Sequence, residues 1–180
     1  MRKLVVLGGA AVIVAAAACS SSTSTTAGTE VFQGRQALTP AEMASSTFTP
    51  TYPLAFTGPV ATTATWSPPG GNATKITTTF KTSAGNLVVN ADVPNVNNPP
   101  TTVNPTTCLS TSTITGTYTV VGDKSTGKFK GGTGSGKIVD LFVGTLPKLS
   151  SGKCNESQSA QPLPGAYTTF HASGPLTVTS

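Results

Sequence analysis

Apolar and polar residues alternate along several short stretches of the chain from residue 52 onward. The first stretch contains Tyr52, Leu54 and Phe56, and the second runs from Val60 to Trp66. The other stretches with this pattern lie at 76–80, 87–93, 114–120, 137–143, 166–172 and 175–179. A period of two is typical of strands that bury one face, so the pattern predicts about eight strands.

The segments between these stretches are rich in turn-forming residues. Pro68 to Gly71 is a strong break, Ala84-Gly85-Asn86 is typical of a β-hairpin turn, and irregular loops are predicted at 94–107 and 146–164. Thr39-Pro40-Ala41-Glu42 has the form of a capping box and predicts one short helical turn through Ala44. The fold is therefore predicted to be all-β, an antiparallel β-barrel of about eight strands, with a β-sandwich as the alternative.

The N-terminus has the features of an export signal. Arg2 and Lys3 precede an apolar stretch that is short for a membrane span, so residues 1–18 are predicted to be a signal peptide that forms a helix. The small residues before Cys19 resemble the bacterial lipobox, which predicts a lipid on Cys19 and anchoring to the outer face of the cell membrane. Simple secretion is the alternative, because Ala16-x-Ala18 also suits a general signal peptidase.

The cysteine count fits the lipid prediction. The three cysteines are Cys19, Cys108 and Cys154, and a lipid on the first leaves the other two free to pair. Export leads to an oxidising compartment, so a Cys108–Cys154 disulfide is predicted. No metal site is predicted, because neither cysteine has further Cys or His nearby and the single His171 is distant in sequence.

Residues 20–30, SSSTSTTAGTE, are predicted to be a flexible tether, because this composition cannot bury a core. These features divide the chain into three parts. Residues 1–18 form the signal peptide, 19–46 carry the lipid-attachment Cys, the tether and the helical turn, and 47–180 form the β-barrel domain.

Charge excludes one class of partner. The formal charge is +5, and removal of Arg2 and Lys3 leaves +3, which is too mild for a nucleic-acid partner. A group of four lysines has two interpretations, a solvated edge that resists aggregation or a weak contact with anionic cell-wall polymer or lipid head groups. These residues are Lys124, Lys128, Lys130 and Lys137.

The glycine-rich segment 122–137 contains two look-alikes of a phosphate-binding loop. Both fit G-x-x-x-x-G-K, but Phe129 and Ile138 follow the lysines where a phosphate loop needs Ser or Thr, and a strand-like sequence follows where a helix is needed. Nucleotide binding is therefore not expected, and no cofactor is predicted. The segment is predicted to contain a turn, a short strand that places Phe129 in the core, and a second turn or bulge.

A longer segment that includes these glycines, residues 114–143, resembles the barrel motif of dirigent-like and allene-oxide-cyclase-like proteins, and of many exported actinobacterial proteins. The pattern is G-x-Y-x-V-x-G followed by T-G-K-F-x-G-x-T-G-S-G. The matching residues are Gly116, Tyr118, Val120, Gly122, Thr126, Gly127, Phe129, Gly131, Thr133, Gly134 and Gly136. The resemblance covers residues 114–143 and implies an eight-stranded antiparallel barrel with a tapering interior pocket. It carries over no catalytic residue.

Few side chains suggest chemistry. His171 has no partner set for a metal or for a Ser–His–acid site. Asp140 falls within a strand and could point into a barrel, but a glycosidase needs two facing carboxylates and none of Asp92, Asp123 or Glu156 is indicated as its partner. Four aromatic residues in or beside strands are either core or the lining of a pocket or glycan-binding face. These are Tyr52, Trp66, Tyr118 and Tyr167, and Phe129 is a further pocket candidate.

The leading hypothesis is a lipid-anchored cell-envelope barrel without catalytic activity that binds a small apolar ligand or has a structural role. One alternative is a cyclase or dirigent-type enzyme that uses the barrel interior, and another is a cell-wall adhesin that binds glycans. The contents of the barrel interior distinguish the non-catalytic hypothesis from the enzyme hypothesis. Polar groups that converge in a pocket favour an enzyme, and an interior filled with Val, Ile and Phe favours a structural role.

Overall fold

A computed structural model describes residues 24–44, 49–157 and 160–179 of the chain. The predicted signal helix, Cys19 and the start of the tether lie outside the described residues. The elements in chain order are β1 (Thr25–Ala37), α1 (Pro40–Ala44), β2 (Tyr52–Thr57), β3 (Thr62–Trp66), β4 (Lys75–Thr82), β5 (Gly85–Asp92), β6 (Thr101–Val103), β7 (Leu109–Val120), a 3₁₀ turn (Gly127–Phe129), β8 (Thr133–Thr145) and β9 (Tyr167–Thr179).

Eight of these strands close into an antiparallel barrel. Neighbouring strands follow the order β5-β4-β3-β2-β1-β9-β8-β7, and the pairing of β5 with β7 completes the ring. The short strand β6 is extra, and it pairs with the start of β7 at Ser110–Ser112, beyond the part of β7 that β5 covers. The predicted barrel of about eight strands is confirmed.

The tether prediction is wrong for its second half. Residues 25–30 belong to β1, which pairs with β9 along all thirteen of its residues. The barrel therefore starts at Thr25 and not at residue 47. The first five side chains of β1 are exposed, so no apolar alternation marks them. Their backbone groups are nevertheless paired, and β-branched threonine suits an extended strand.

The predicted division of the C-terminus into two strands is also wrong, because Tyr167–Thr179 is one strand. Pro175 lies opposite Thr29 of β1 in unbroken register. On the β8 side the same register continues on both sides of the proline, through Ser173 with Lys137 and Leu176 with Gly134. The missing N–H of proline removes one ladder hydrogen bond but does not end the strand.

The two predicted local motifs are confirmed. The Thr39 backbone N–H donates to Glu42 Oε2 at 2.7 Å, and the Glu42 N–H donates to Thr39 Oγ1 at 3.2 Å, which is the reciprocal geometry of a capping box. Strands β4 and β5 form a hairpin in which Thr82 pairs with Gly85. Gly85 has φ of +128°, and a Cβ there would lie 2.2 Å from the Thr126 carbonyl oxygen, so glycine is needed. Within the described ranges no helix is both long and apolar enough to cross a bilayer.

The β7–β8 connection closes one end of the barrel. Phe129 is carried by a 3₁₀ turn and not by the predicted short strand, but its side chain is completely buried, as predicted. It joins the core cluster at this end with Phe56, Leu87 and Leu176. The connection is fixed to the β4–β5 hairpin by the hydrogen bond from Lys128 N–H to the Ala84 carbonyl at 2.9 Å. We call this the closed end.

The predicted disulfide between Cys108 and Cys154 is confirmed. It ties the residue before β7 to the long segment between β8 and β9. Such a bond is typical of proteins in an oxidising environment.

Candidate functional site

The half of the barrel opposite the closed end is hollow. Its cavity has a volume of about 570 Å³, and its mouth lies between the β3–β4 loop, residues 68–73, and Pro50. The β3–β4 loop is held in place by Asn97, whose Nδ2 donates a hydrogen bond to the Asn72 carbonyl at 3.0 Å. The walls are mainly apolar side chains that point inward from the strands. They include Phe32, Trp66, Ile76, Phe80, Val89, Ala91, Val93, Ile114, Ile138, Phe170 and Ala172.

Aromatic rings cover one side of this cavity. The centroid of the Trp66 ring lies 4.8 Å from that of Phe170 and 5.1 Å from that of Phe80. The Tyr52 ring stacks on Trp66 with the two centroids 6.0 Å apart. The indole Nε1–H of Trp66 donates to Thr78 Oγ1 at 2.9 Å, which satisfies its buried donor and fixes the ring.

One carboxyl group, that of Asp140, faces this apolar space from β8. The Tyr52 hydroxyl lies 3.0 Å from both carboxyl oxygens of Asp140, and Thr168 Oγ1 lies 3.0 Å from Oδ1. The two hydroxyls are also 2.8 Å apart, and Thr168 Oγ1 can donate to the Leu141 carbonyl at 3.0 Å. Strands β2, β8 and β9 thus each supply one member of a compact polar cluster, which we call the Asp140 cluster (Tyr52, Asp140 and Thr168).

Burial and hydrogen bonding act in opposite directions on the protonation of Asp140. Burial raises the pKa of Asp140 to about 6, and the hydrogen bonds from Thr168 and Tyr52 only partly oppose this effect. Burial also raises the pKa of Tyr52, and the nearby Asp140 charge raises it further. When Asp140 is protonated, each hydroxyl proton of the cluster can be donated in one chain of hydrogen bonds. The Asp140 carboxyl donates to the Tyr52 hydroxyl, the Tyr52 hydroxyl donates to Thr168 Oγ1, and the Thr168 hydroxyl donates to the Leu141 carbonyl.

A second cavity of about 390 Å³ lies on the other side of the Asp140 cluster. It is bounded by α1, through Glu42 and Met43, and by Phe142 and Pro162. Pro50, Ile114 and Asp140 line both cavities. The Asp140 cluster therefore stands between two largely apolar chambers.

A second buried carboxyl group lies at the closed end. Glu30 is completely buried, and its Oε2 accepts the Val60 backbone N–H at 2.9 Å. Within the described part of the chain, Glu30 Oε1 and the Tyr118 hydroxyl have no hydrogen-bond partner. Burial raises the pKa of Glu30, and burial followed by the Glu30 charge raises the pKa of Tyr118 to about 12.

The predicted pocket residues separate into three groups. Trp66 and Tyr118 line the main cavity. A Cβ on Gly136 would come within 2.5 Å of the Tyr118 ring, so this glycine allows the ring to lie against β8. The assignment of Phe129 and Tyr167 to the pocket is corrected. Phe129 fills the closed end, and Tyr167 lies on the outside of β9 with the Arg35 guanidinium 3.8 Å from its ring centroid.

The structure groups three of the four predicted lysines. Lys124, Lys128 and Lys130 are all exposed in the β7–β8 connection at the closed end, whereas Lys137 is exposed on the outer face of β8. The glycine pattern that resembles a phosphate loop leads only into the 3₁₀ turn and β8. His171 is exposed on the outer face of β9, opposite Gln33 and Val139.

Sequence reasoning identified Asp140 as an inward candidate but found no partner for it. Its partners are hydroxyls, and Tyr52 is 88 residues away along the chain. Glu30 was missed because it sits in the segment assigned to the tether. Among the described residues, no group of three or more His, Cys, Asp and Glu side chains could hold a metal ion.

Comparison of the chain with protein-family models, with curated proteins and with solved structures gives no significant match. The architecture and the cavity are therefore the basis for assigning a function.

Proposed function

We propose that the protein binds a small, mainly apolar ligand inside the barrel. The observation that carries this proposal is the cavity of about 570 Å³, which is within the size range of small-molecule sites. A purely structural barrel would fill its interior along its whole length. Here the closed end is filled, but the other half is hollow and open at one side.

Rigid walls support this proposal. The aromatic rings are fixed by mutual packing and by the Trp66–Thr78 hydrogen bond. A preformed site lowers the ordering cost of binding. The Asp140 cluster adds one polar position in an otherwise apolar lining, which is typical of sites that orient a ligand by few polar contacts.

Neutral phenyl- and alkyl-alcohols of six to twelve carbons are expected to bind with one-to-one stoichiometry and dissociation constants of about 10–100 µM. Ala91→Phe is expected to weaken this binding by at least about tenfold, because Ala91 faces the cavity and the larger ring would fill it. Titration followed by the fluorescence of Trp66, the single tryptophan, measures both values. The matched control is Ala55→Phe on the outer face of β2, which should bind as wild type does. Equal weakening by both variants, or no binding to wild type, would overturn the proposal.

A cyclase or dirigent-type enzyme is the second candidate, and the raised pKa of Asp140, about 6, favours it. A carboxyl group that is partly protonated near neutral pH in an apolar site can act as a general acid. Chemical conversion of a bound ligand that is lost in Asp140→Asn, while binding persists, would distinguish this candidate from simple binding.

The barrel is proposed to belong with the dirigent-like and allene-oxide-cyclase-like superfamily. The motif residues lie where a structural role expects them, at the end of β7, in the closing connection and at the start of β8. The eight-stranded ring with an interior cavity agrees with that family's architecture.

The protein is also proposed to be exported and anchored by a lipid on Cys19. The signal-type N-terminus and the Cys108–Cys154 disulfide support export. Intact-mass measurement of the mature chain is expected to show a chain that starts at Cys19 and carries a diacylglyceryl group with further acylation. A Cys19→Ser variant should lose the added mass. An unmodified mature wild-type chain would contradict the anchor and would indicate secretion.

A further inference from the structure

The charge of Asp140 has no counter-ion in the barrel. Among the described residues, neither cavity is lined by a lysine, an arginine or a histidine. The titratable groups that face the Asp140 region are Tyr52 on β2, Tyr118 on β7 and Glu42 on α1, and none of them can carry a positive charge. An ionised carboxylate here is stabilised only by two hydroxyl groups, so a cation in the cavity would complete an ion pair in a mostly apolar site.

Aromatic rings are placed to hold such a cation. Phe170 is the register partner of Asp140 on the neighbouring strand β9. Its ring centroid lies 4.8 Å from that of Trp66 and 5.8 Å from that of Tyr52. Aromatic faces attract ammonium groups through their negative quadrupole, and tryptophan does so most strongly. A carboxylate bordered by aromatic rings is the chemistry that recognises an organic ammonium ion.

The rest of the cavity specifies the body of the ligand. Its lining away from Asp140 is mainly Ile, Val, Ala and Phe, which favours a hydrocarbon or aryl group. An anionic ligand would meet the like charge of Asp140, and a neutral alcohol would leave that charge uncompensated.

We propose that the barrel takes a lipophilic primary or secondary amine, bound as its ammonium ion with N–H groups donated to Asp140 and with the rings of Trp66 and Phe170 beside it. This inference rests on the proposed function of the cavity as a ligand site. It adds the chemical class of the ligand and names Asp140 as the residue that determines specificity.

The test compares 4-phenylbutylamine with 4-phenylbutan-1-ol on the full mature chain at pH 7.5, by calorimetry. The two probes differ only in the polar group, and the amine is cationic throughout the pH range used. The amine is expected to bind at least about tenfold more tightly. Asp140→Asn should remove this preference, so that the amine no longer binds more tightly than the alcohol. Asp92→Asn is the control, because Asp92 is an exposed carboxylate that pairs with Lys75 on the outer face.

A pH series on the unmutated protein keeps the proposal testable if Asp140→Asn does not fold. Asp140 must be ionised to pair with the amine, and its pKa is about 6 in the empty barrel. The preference for the amine over the alcohol should therefore fall as the pH decreases from 7.5 to 5. Equal affinities, or a preference that survives in Asp140→Asn, would overturn the amine class and leave the apolar site standing. Failure of both probes to bind wild type would overturn the site itself.

Discussion

Replacing Phe129 with alanine is expected to lower the free energy of unfolding by about 3–5 kcal/mol, the usual cost of truncating a fully buried phenylalanine. Phe129 has no exposed surface, and its ring centroid lies 6.4 Å from that of Phe56. The hydrogen bonds that fix the 3₁₀ turn to the β4–β5 hairpin limit how far the site can collapse around the lost ring. Urea denaturation followed by Trp66 fluorescence measures the change.

The matched control for this variant is Leu149→Ala. Leu149 is 47% exposed in the loop between β8 and β9, so its truncation should change stability by less than about 0.5 kcal/mol. A loss below about 1 kcal/mol for Phe129→Ala would show that the β7–β8 connection does not close the barrel. The thermal midpoint of Phe129→Ala should also lie below that of wild type, by about 10–15 °C for a domain of this size.

Glu30→Gln is expected to stabilise the protein by about 1–3 kcal/mol at pH 7.5, because it replaces a buried carboxylate by a neutral amide that still accepts the Val60 N–H. Burial raises the pKa of Glu30 in the folded state above its unfolded value. The contribution of such a group is fully present below the unfolded pKa, near 4.5, and is lost as the pH rises through the folded pKa. The advantage of Glu30→Gln should therefore be absent at low pH and grow in that window.

Glu42→Gln provides a control of opposite sign. The capping-box hydrogen bonds from Thr39 lower the pKa of Glu42, so this exposed carboxylate contributes stability above its unfolded pKa and loses it as the pH falls. Asp140 is unchanged in both variants, so the difference from wild type isolates each glutamate. A Glu30→Gln variant that is less stable than wild type at pH 7.5 would contradict this prediction.

The strands with a buried face could be read from the sequence because their patterns are local. Tyr52, Leu54 and Phe56 alternate with exposed or half-exposed residues, and all three are buried in β2. The capping box at Thr39 and the hairpin at Gly85 are equally local, since each depends on residues three or fewer apart. Because these motifs involve only residues that are close in sequence, they form in the same way whatever the rest of the fold is.

The strands that were missed depend on partners far away in sequence. The first half of β1 has no apolar alternation and becomes a strand because β9, at the other end of the chain, pairs with it. The apolar alternation is interrupted between residues 172 and 175 of β9, but strands on both sides hold the segment extended. Ladder pairing with distant strands outweighs the local sequence signal in both cases.

The candidate site was predictable only in part for the same reason. The position of Asp140 in an alternating strand indicated that it could face inward. The two hydroxyls that surround it come from Tyr52, 88 residues earlier, and Thr168, 28 residues later. Neither has a sequence pattern that marks it as a partner. The void itself depends on how the eight strands close, which no single segment encodes.

β1 runs from the closed end of the barrel, where Thr25 pairs with Thr179, to the mouth, where Ala37 pairs with Tyr167. Five residues lie between Cys19 and Thr25, and the six Cα–Cα steps reach at most about 20 Å. A lipid on Cys19 would therefore place the closed end of the barrel next to the membrane. Lys124, Lys128 and Lys130, which lie at this end, would then be close to the lipid head groups. The thirteen residues of β1 rise about 43 Å along the strand, so the rim would stand well above the bilayer. Ligands would then be collected from the surrounding medium and not extracted from the lipid phase.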